Sequence, residues 1–152
     1  MSKKENLDPT PESIIGVELS LIKRTVENME ALERVAYTRM LEAGFWKRRH
    51  RIINVMNIHS LEEATEGEGR RIVLMEALAL ITSEIGEAVE GVRKDAKDEH
   101  LPQYESVSVE LADAIIRILD LSGGLGLNVP GAIRDKMEFN RTAREKMHGK
   151  LS

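Results

Sequence analysis

Apolar residues recur every three or four positions along most of this chain, and no other feature of the sequence constrains its fold as strongly. That spacing matches the turn of an α-helix and differs from the two-residue alternation of a strand. Runs of strand-favouring residues are scarce, whereas the good helix formers Leu, Ala, Glu, Lys, Arg and Met dominate. The sequence therefore predicts an all-α fold.

The pattern predicts four main helices. The first is long and amphipathic: Thr10 caps it, Pro11 opens it, and Gly44 ends it. The other three are expected at about residues 70–96, 104–122 and 128–145, the last of them capped by Asn128.

The apolar stripes of the middle two helices are expected to form the core. The stripe residues are Leu74, Leu78, Ile81, Ile85, Ala88 and Val92 on one helix, and Val107, Leu111, Ala114, Ile118 and Leu121 on the next.

The segment Phe45–Gly69 is the least regular part of the chain. Its basic run, Lys47–Arg51, is interpreted as a solvated loop, with attraction of phosphates or RNA as the alternative. A capping-box pattern at Ser60–Glu63 predicts one short helical turn, and Thr65–Gly69 has the composition of a loop.

The length of 152 residues suits one domain, predicted at residues 11–145 between a flexible tail (1–10) and a polar C-terminal tail (146–152). The polar start does not resemble a signal peptide, and no apolar stretch approaches the roughly 18 residues of a membrane span. A cytoplasmic protein without a membrane partner is expected. The net charge of −4 argues against a stable nucleic-acid partner, and the lack of cysteine excludes disulfides and thiolate sites.

Two pairs of acids stand out. Glu84 and Glu87 are predicted on the flank of one apolar stripe, and Glu110 and Asp113 on the flank of the next. Residues three apart share a helix face, so antiparallel packing of the two helices would bring the four carboxylates together.

Four converging carboxylates repel one another unless a cation lies among them, and oxygen ligands suit Mg²⁺ or Mn²⁺. No histidine lies three or four residues from these acids, which argues against di-iron and zinc sites. The alternative is that the acids are merely solvated, and Arg117 would then form an ordinary surface ion pair with them.

At these residues the sequence resembles the MazG-like, all-α nucleoside triphosphate pyrophosphohydrolases, whose signature is Glu-Glu-x-x-Glu, a gap, and Glu-x-x-Asp. SEIGE (83–87) and ELAD (110–113) match its two halves, with Ser83 where many members have the first Glu. The resemblance covers about residues 43–150 and includes AGFW (43–46), IIRILDLSGGLGLNV (115–129), KMEFNRT (136–142) and HGK (148–150).

This resemblance implies a four-helix MazG-like core, to which the long N-terminal helix is an addition. It also implies a homodimer or homotetramer that binds Mg²⁺ through Glu84, Glu87, Glu110 and Asp113, and phosphates or nucleotide through Lys136 and Asn140. One of the acids would accept a proton from the attacking water. Because Ser83 replaces the first Glu of the signature, the resemblance does not imply a second metal ion or a base at that position.

Three further residues are candidates for substrate binding. Arg141 could join Lys136 on the phosphates, and Lys150 could reach a phosphate across a subunit boundary or belong to a frayed end. Trp46 could stack on a base, although a core or interface position is favoured.

Three functions stay open at this stage. The first is a Mg²⁺-dependent hydrolase that cleaves (deoxy)nucleoside or non-standard triphosphates to a monophosphate and pyrophosphate. The second is a phosphoribosyl-nucleotide pyrophosphohydrolase of histidine synthesis, and the third is a non-enzymatic helical dimerisation or regulatory module.

Overall fold

The computed structural model of the protein describes residues 11–58 and 67–148, which form five helices. Within these residues there is no strand, only an isolated antiparallel bridge between Lys97 and Glu105. The predicted all-α fold is confirmed. The helices are α1 (Pro11–Glu42), α2 (Phe45–Ile58), α3 (Glu68–Lys94), α4 (Ser106–Leu125) and α5 (Val129–His148).

The chain divides into two compact units. The first contains Leu32–Val129, which is the end of α1 together with α2, α3 and α4. The second contains the described residues before 32 and after 129, in α1 and α5. The predictions for residues 1–10, for the turn at Ser60–Glu63 and for the end of the C-terminal tail lie outside the described residues. Across the described helices, none is both long and apolar enough to cross a bilayer.

Helix α2 corrects the sequence analysis, which expected an irregular segment with its basic run in a solvated loop. Phe45–Ile58 is a continuous helix of 14 residues. Lysine and arginine are good helix formers, so a basic run does not oppose a helix. Trp46 and Arg49 are buried and Ile53 is half-buried, and this spacing of three and four residues was the missed signal. Gly44, with φ of +86°, separates α1 from α2 at the predicted place.

Helices α3 and α4 pack against each other as an antiparallel pair. Gly91, near the end of α3, lies beside Ser106 at the start of α4, and Glu84 in the middle of α3 pairs with Arg117 farther along α4. Compared with the predicted spans, α3 begins and ends two residues earlier, and α4 extends to Leu125.

The buried face of α3 is rotated from the predicted stripe. Leu78, Ile85 and Val92 were expected in the core but are exposed, Val92 by 65%. The residues that are buried include Val73, Ala77, Glu84, Ala88 and Gly91. At about 100° per residue, this face is turned by about 80° toward the acids. On α4, Leu111 is likewise exposed, whereas Ala114 and Leu121 are buried as expected.

The core of the Leu32–Val129 unit forms around Trp46, whose side chain has no exposed surface. The indole N–H donates to the Oδ1 atom of Asp120 over 2.6 Å, and Arg49 Nη1 lies 3.3 Å from the Oδ2 atom of the same carboxylate. Burial raises the pKa of Asp120, although Trp46 and Arg49 oppose this shift. Packed with Trp46 in the core are Val73, Ala77, Leu121 and Leu125.

The second unit contains nearly all of α5. Asn128, the predicted cap, directly precedes this helix and has a left-handed φ of 52°, which asparagine tolerates better than most residues. The hydroxyl of Ser122 accepts a hydrogen bond from the Val129 N–H, the first of the helix, over 3.0 Å. Helix α5 runs to His148, three residues beyond the predicted end at about 145.

Candidate metal site

Three of the four predicted acids converge between α3 and α4. One carboxylate oxygen from each of Glu84, Glu87 and Glu110 lies within 4.8 Å of the others. Glu84 and Glu87 share a face of α3 because they are three residues apart, and the antiparallel packing places Glu110 of α4 opposite them. Three oxygens this close together could hold one metal ion, and hard divalent cations prefer carboxylate oxygens as ligands. We call Glu84, Glu87 and Glu110 the acid triad.

Glu84 differs from its predicted position. The sequence placed it on the flank of the apolar stripe, but it is only 6% exposed and lies on the buried face of α3. Its Oε1 atom accepts a hydrogen bond from Arg117 Nε over 2.5 Å. Arg117 is therefore a bridge between the two helices, rather than the surface partner that the sequence allowed.

Asp113, the fourth predicted ligand, is exposed and does not belong to the triad. It lines two clefts, one on each side of it along the α3–α4 pair. The structure thus brings Asp113 near the predicted site without placing its carboxylate among the three converging oxygens.

Burial and the neighbouring acids disfavour the charged form of Glu110. The pKa of Glu110 is raised, first by burial and then by the charges of Glu87 and Glu84, a hydrogen bond with Glu84, and the charge of Asp113. A divalent cation would remove this repulsion and hold the carboxylates ionised.

Ser83 makes a contact that the sequence did not predict. Its hydroxyl donates to the Oε1 atom of Glu87 over 3.3 Å. The residue that replaces the usual first Glu of the signature thus contacts a triad carboxylate.

The first of the two clefts beside Asp113, which we call the acidic cleft, contains the triad and has a volume of about 810 Å³. Its wall also carries the basic side chains of Lys94, at the end of α3, and of Lys97 and His100 in the α3–α4 connection. The turn is held by Asp98, whose Oδ1 atom accepts hydrogen bonds from the backbone N–H groups of His100 (2.9 Å) and Leu101 (2.6 Å). Lys97 and His100 could not be assigned to the site from the sequence, because only the fold of the connection brings them beside the acids.

The second cleft, which we call the apolar cleft, has a volume of about 580 Å³ and lies among the end of α1, α2, α3 and α4. Both clefts are lined by Asp113 and Arg117, so the two are neighbours. The residues that line the apolar cleft with them include Met40, Phe45, Arg48, Glu76, Leu80 and Ile116.

The predicted substrate-binding residues have different outcomes. Trp46 is fully buried, which supports the core position that the sequence favoured over stacking on a base. Lys136, Asn140 and Arg141 lie on α5, in the second unit, and their contact with phosphates stays a prediction. Lys136 Nζ is 4.8 Å from the centre of the Phe139 ring, and Arg141 pairs with Glu138 over 2.6 Å. Lys150 lies outside the described residues.

Comparison of the chain with protein-family models, with curated proteins and with solved structures found no significant match. The resemblance to the MazG-like hydrolases therefore rests on the sequence motifs alone.

Proposed function

We propose that this protein is a Mg²⁺-dependent nucleoside triphosphate pyrophosphohydrolase, which releases a monophosphate and pyrophosphate. The observation that carries the proposal is the convergence of Glu84, Glu87 and Glu110 on one point between two helices. These are three of the four acids that the resemblance assigns to the metal. Glu84 is buried between the helices, so it is not a merely solvated acid.

The chemistry divides between the metal and the residues around it. Mg²⁺ held by the triad would supply charge neutralisation for the triphosphate and would acidify the attacking water. Arg117 and Lys97, which line the acidic cleft, are suited to bind phosphate oxygens. One acid of the site accepts the proton that the water loses.

The test is product analysis. The purified protein is incubated with Mg²⁺ and a panel of canonical and modified nucleoside triphosphates, and the products are separated by ion-exchange chromatography. We expect monophosphate and pyrophosphate in equal amounts, and no products in the presence of a chelator. Release of single phosphates, or no turnover on any substrate with no stabilisation by Mg²⁺, would contradict the proposal. The second result would favour the non-enzymatic helical module.

We also propose that the protein is a homo-oligomer, at least a dimer, through an apolar face of the α3–α4 pair. This face is defined by five exposed residues, Ile85, Val89 and Val92 on α3 and Leu111 and Ile115 on α4. At 100° per residue, these side chains lie on one side of the antiparallel pair, whereas Glu87 and Asp113 lie on the other. Large exposed apolar patches mark protein interfaces, and a second copy would cover this one without obstructing the clefts.

Substitution of Val89 by glutamate is expected to convert the oligomer to a monomer, because a charge would be buried in the interface. Val89 is 64% exposed, so the substitution does not disturb the fold of the chain. The measurement is the molar mass in solution by light scattering. Ala112→Glu is the matched control, since Ala112 is exposed on the side of α4 away from α3, and this variant should keep the wild-type mass. A wild-type protein that is monomeric at all concentrations would contradict the interface.

A further inference from the structure

One cleft is mainly apolar, as a nucleobase is, and the other is lined by charged groups, which suit a metal-bound triphosphate. The acidic cleft presents the triad and several basic residues, and the apolar cleft presents the side chains of Met40, Leu80 and Ile116. At 100° per residue, Leu80 and Glu87 lie on the same side of the α3–α4 pair, so the clefts follow one another along one surface. Asp113 and Arg117 lie where they meet.

Phe45 is the exposed aromatic residue of the apolar cleft. Phe45 directly follows the turn at Gly44, and its side chain is 64% exposed, whereas the neighbouring Trp46 is completely buried. An exposed phenylalanine at the edge of a cleft gains little from the core, but its ring offers a flat apolar surface to a planar ligand. Base–aromatic stacking of this kind is widely used and tolerates different bases.

The cleft also carries polar groups. Arg48 and Glu76 both line it, with Arg48 Nη1 and Glu76 Oε1 3.6 Å apart. This pair presents both hydrogen-bond donors and an acceptor, which the polar edge of a base requires. A volume of about 580 Å³ is within the ordinary range for small-molecule sites.

We propose that the apolar cleft binds the nucleoside of the substrate and that Phe45 stacks on its base. This inference rests on the proposed function, because it assumes that the triphosphate occupies the acidic cleft. The α-phosphate, which joins the two halves, then lies beside Asp113 and Arg117, the residues common to both clefts. Base recognition thus belongs to Phe45 at the start of α2 rather than to Trp46.

The experiment compares two ligands on the wild-type protein and on Phe45→Ala. Isothermal titration calorimetry with Mg²⁺ measures the Kd of a non-hydrolysable α,β-methylene deoxynucleoside triphosphate and of inorganic tripolyphosphate. We expect Phe45→Ala to weaken the nucleotide about 5- to 150-fold, the range found when a stacking aromatic is removed, and to leave the tripolyphosphate unchanged. Phe45→Tyr should bind both ligands as the wild type does.

The matched control is Tyr104→Ala, which removes an exposed aromatic ring that lines neither cleft. It should bind both ligands as the wild type does. Equal nucleotide affinity of Phe45→Ala and the wild type would overturn the proposal for Phe45 while leaving the proposed hydrolysis intact. Equal loss of both ligands would also overturn it, because the defect would then lie in the phosphate site. Failure of the wild type to bind either ligand would contradict the proposed function itself, and the inference with it.

Discussion

Replacement of Glu87 by glutamine is expected to lower kcat/KM for triphosphate cleavage about 100-fold or more without unfolding the protein. Glu87 is exposed, so the change removes no packing, but its carboxylate is one of the three in the acid triad. An uncharged amide is a poorer ligand for Mg²⁺ than a carboxylate. Loss of residues that merely support a metal ligand costs about 10- to 100-fold in affinity or activity, so loss of a ligand should cost at least as much.

Glu90→Gln is the matched control for this prediction. Glu90 lies one turn farther along α3 and also lines the acidic cleft. Arg93 and Lys94 bind its carboxylate and lower its pKa to about 2. The carboxylate is therefore ionised, and these two cations compensate its negative charge. We expect Glu90→Gln to keep nearly wild-type turnover.

Thermal unfolding provides a second readout that is independent of turnover. A ligand that binds only the folded state raises the Tm, so Mg²⁺ should stabilise the wild type and Glu90→Gln more than Glu87→Gln. Wild-type turnover by Glu87→Gln would show that the triad is not the metal site. Equal losses in the two variants would indicate that only the total negative charge of the cleft matters.

Asp113→Asn is also expected to lower turnover, since Asp113 lies beside the triad and lines both clefts.

Local signals in the sequence were sufficient for the class of fold and for most helix ends. Gly44 ended α1 because a left-handed residue interrupts a helix, and the α3–α4 connection occurs close to the expected place. Helix α2 was missed because its charged residues obscured a regular spacing of buried positions. Arg49 is one of those positions, and an arginine is not recognised as buried until its partner Asp120, 71 residues away, is known.

The position of Glu84 shows a different limit. Apolar spacing predicted which residues of α3 share a face. It could not tell which of two faces packs in the core, because several large apolar residues of α3 remain exposed. The packed face contains small residues, Ala77, Ala88 and Gly91, which allow α4 to approach closely. Glu84 can be buried there because Arg117 compensates its charge, and that pairing depends on the register of two helices. The motif could therefore predict three acids that lie close together, but not the surroundings of the triad.

The clefts were beyond sequence analysis for the same reason. Phe45 and Trp46 are adjacent aromatic residues, and nothing local distinguishes the exposed ring from the buried one. The distinction arises because Trp46 packs on Gly124 of α4 and donates to Asp120. The neighbouring residue then points elsewhere on α2, about 100° around the helix, and lines the cleft.

Replacement of Gly124 by alanine is expected to lower the free energy of unfolding by about 2 kcal/mol. A Cβ atom on Gly124 would lie 1.9 Å from Cζ2 and 2.1 Å from Cη2 of Trp46. The indole cannot move away cheaply, because it is fully buried and hydrogen-bonded to Asp120. Overpacking of a core costs about 1–3 kcal/mol, and an overlap this large belongs at the upper end, less the roughly 1 kcal/mol that alanine gains over glycine in a helix. For a chain of this size the Tm should fall by about 4–8 °C.

Two further variants separate the contact with Trp46 from other effects of the substitution. Gly86→Ala adds the same methyl group to α3, where no atom lies within 4 Å of the new Cβ, and it should raise the Tm through helix propensity alone. In a Trp46→Phe background the smaller ring leaves room for the Cβ, so the cost of Gly124→Ala should fall well below its cost in the wild type. If the cost is the same in both backgrounds, the indole of Trp46 is not the group that Gly124 accommodates, and the packing of Trp46 on Gly124 would be contradicted.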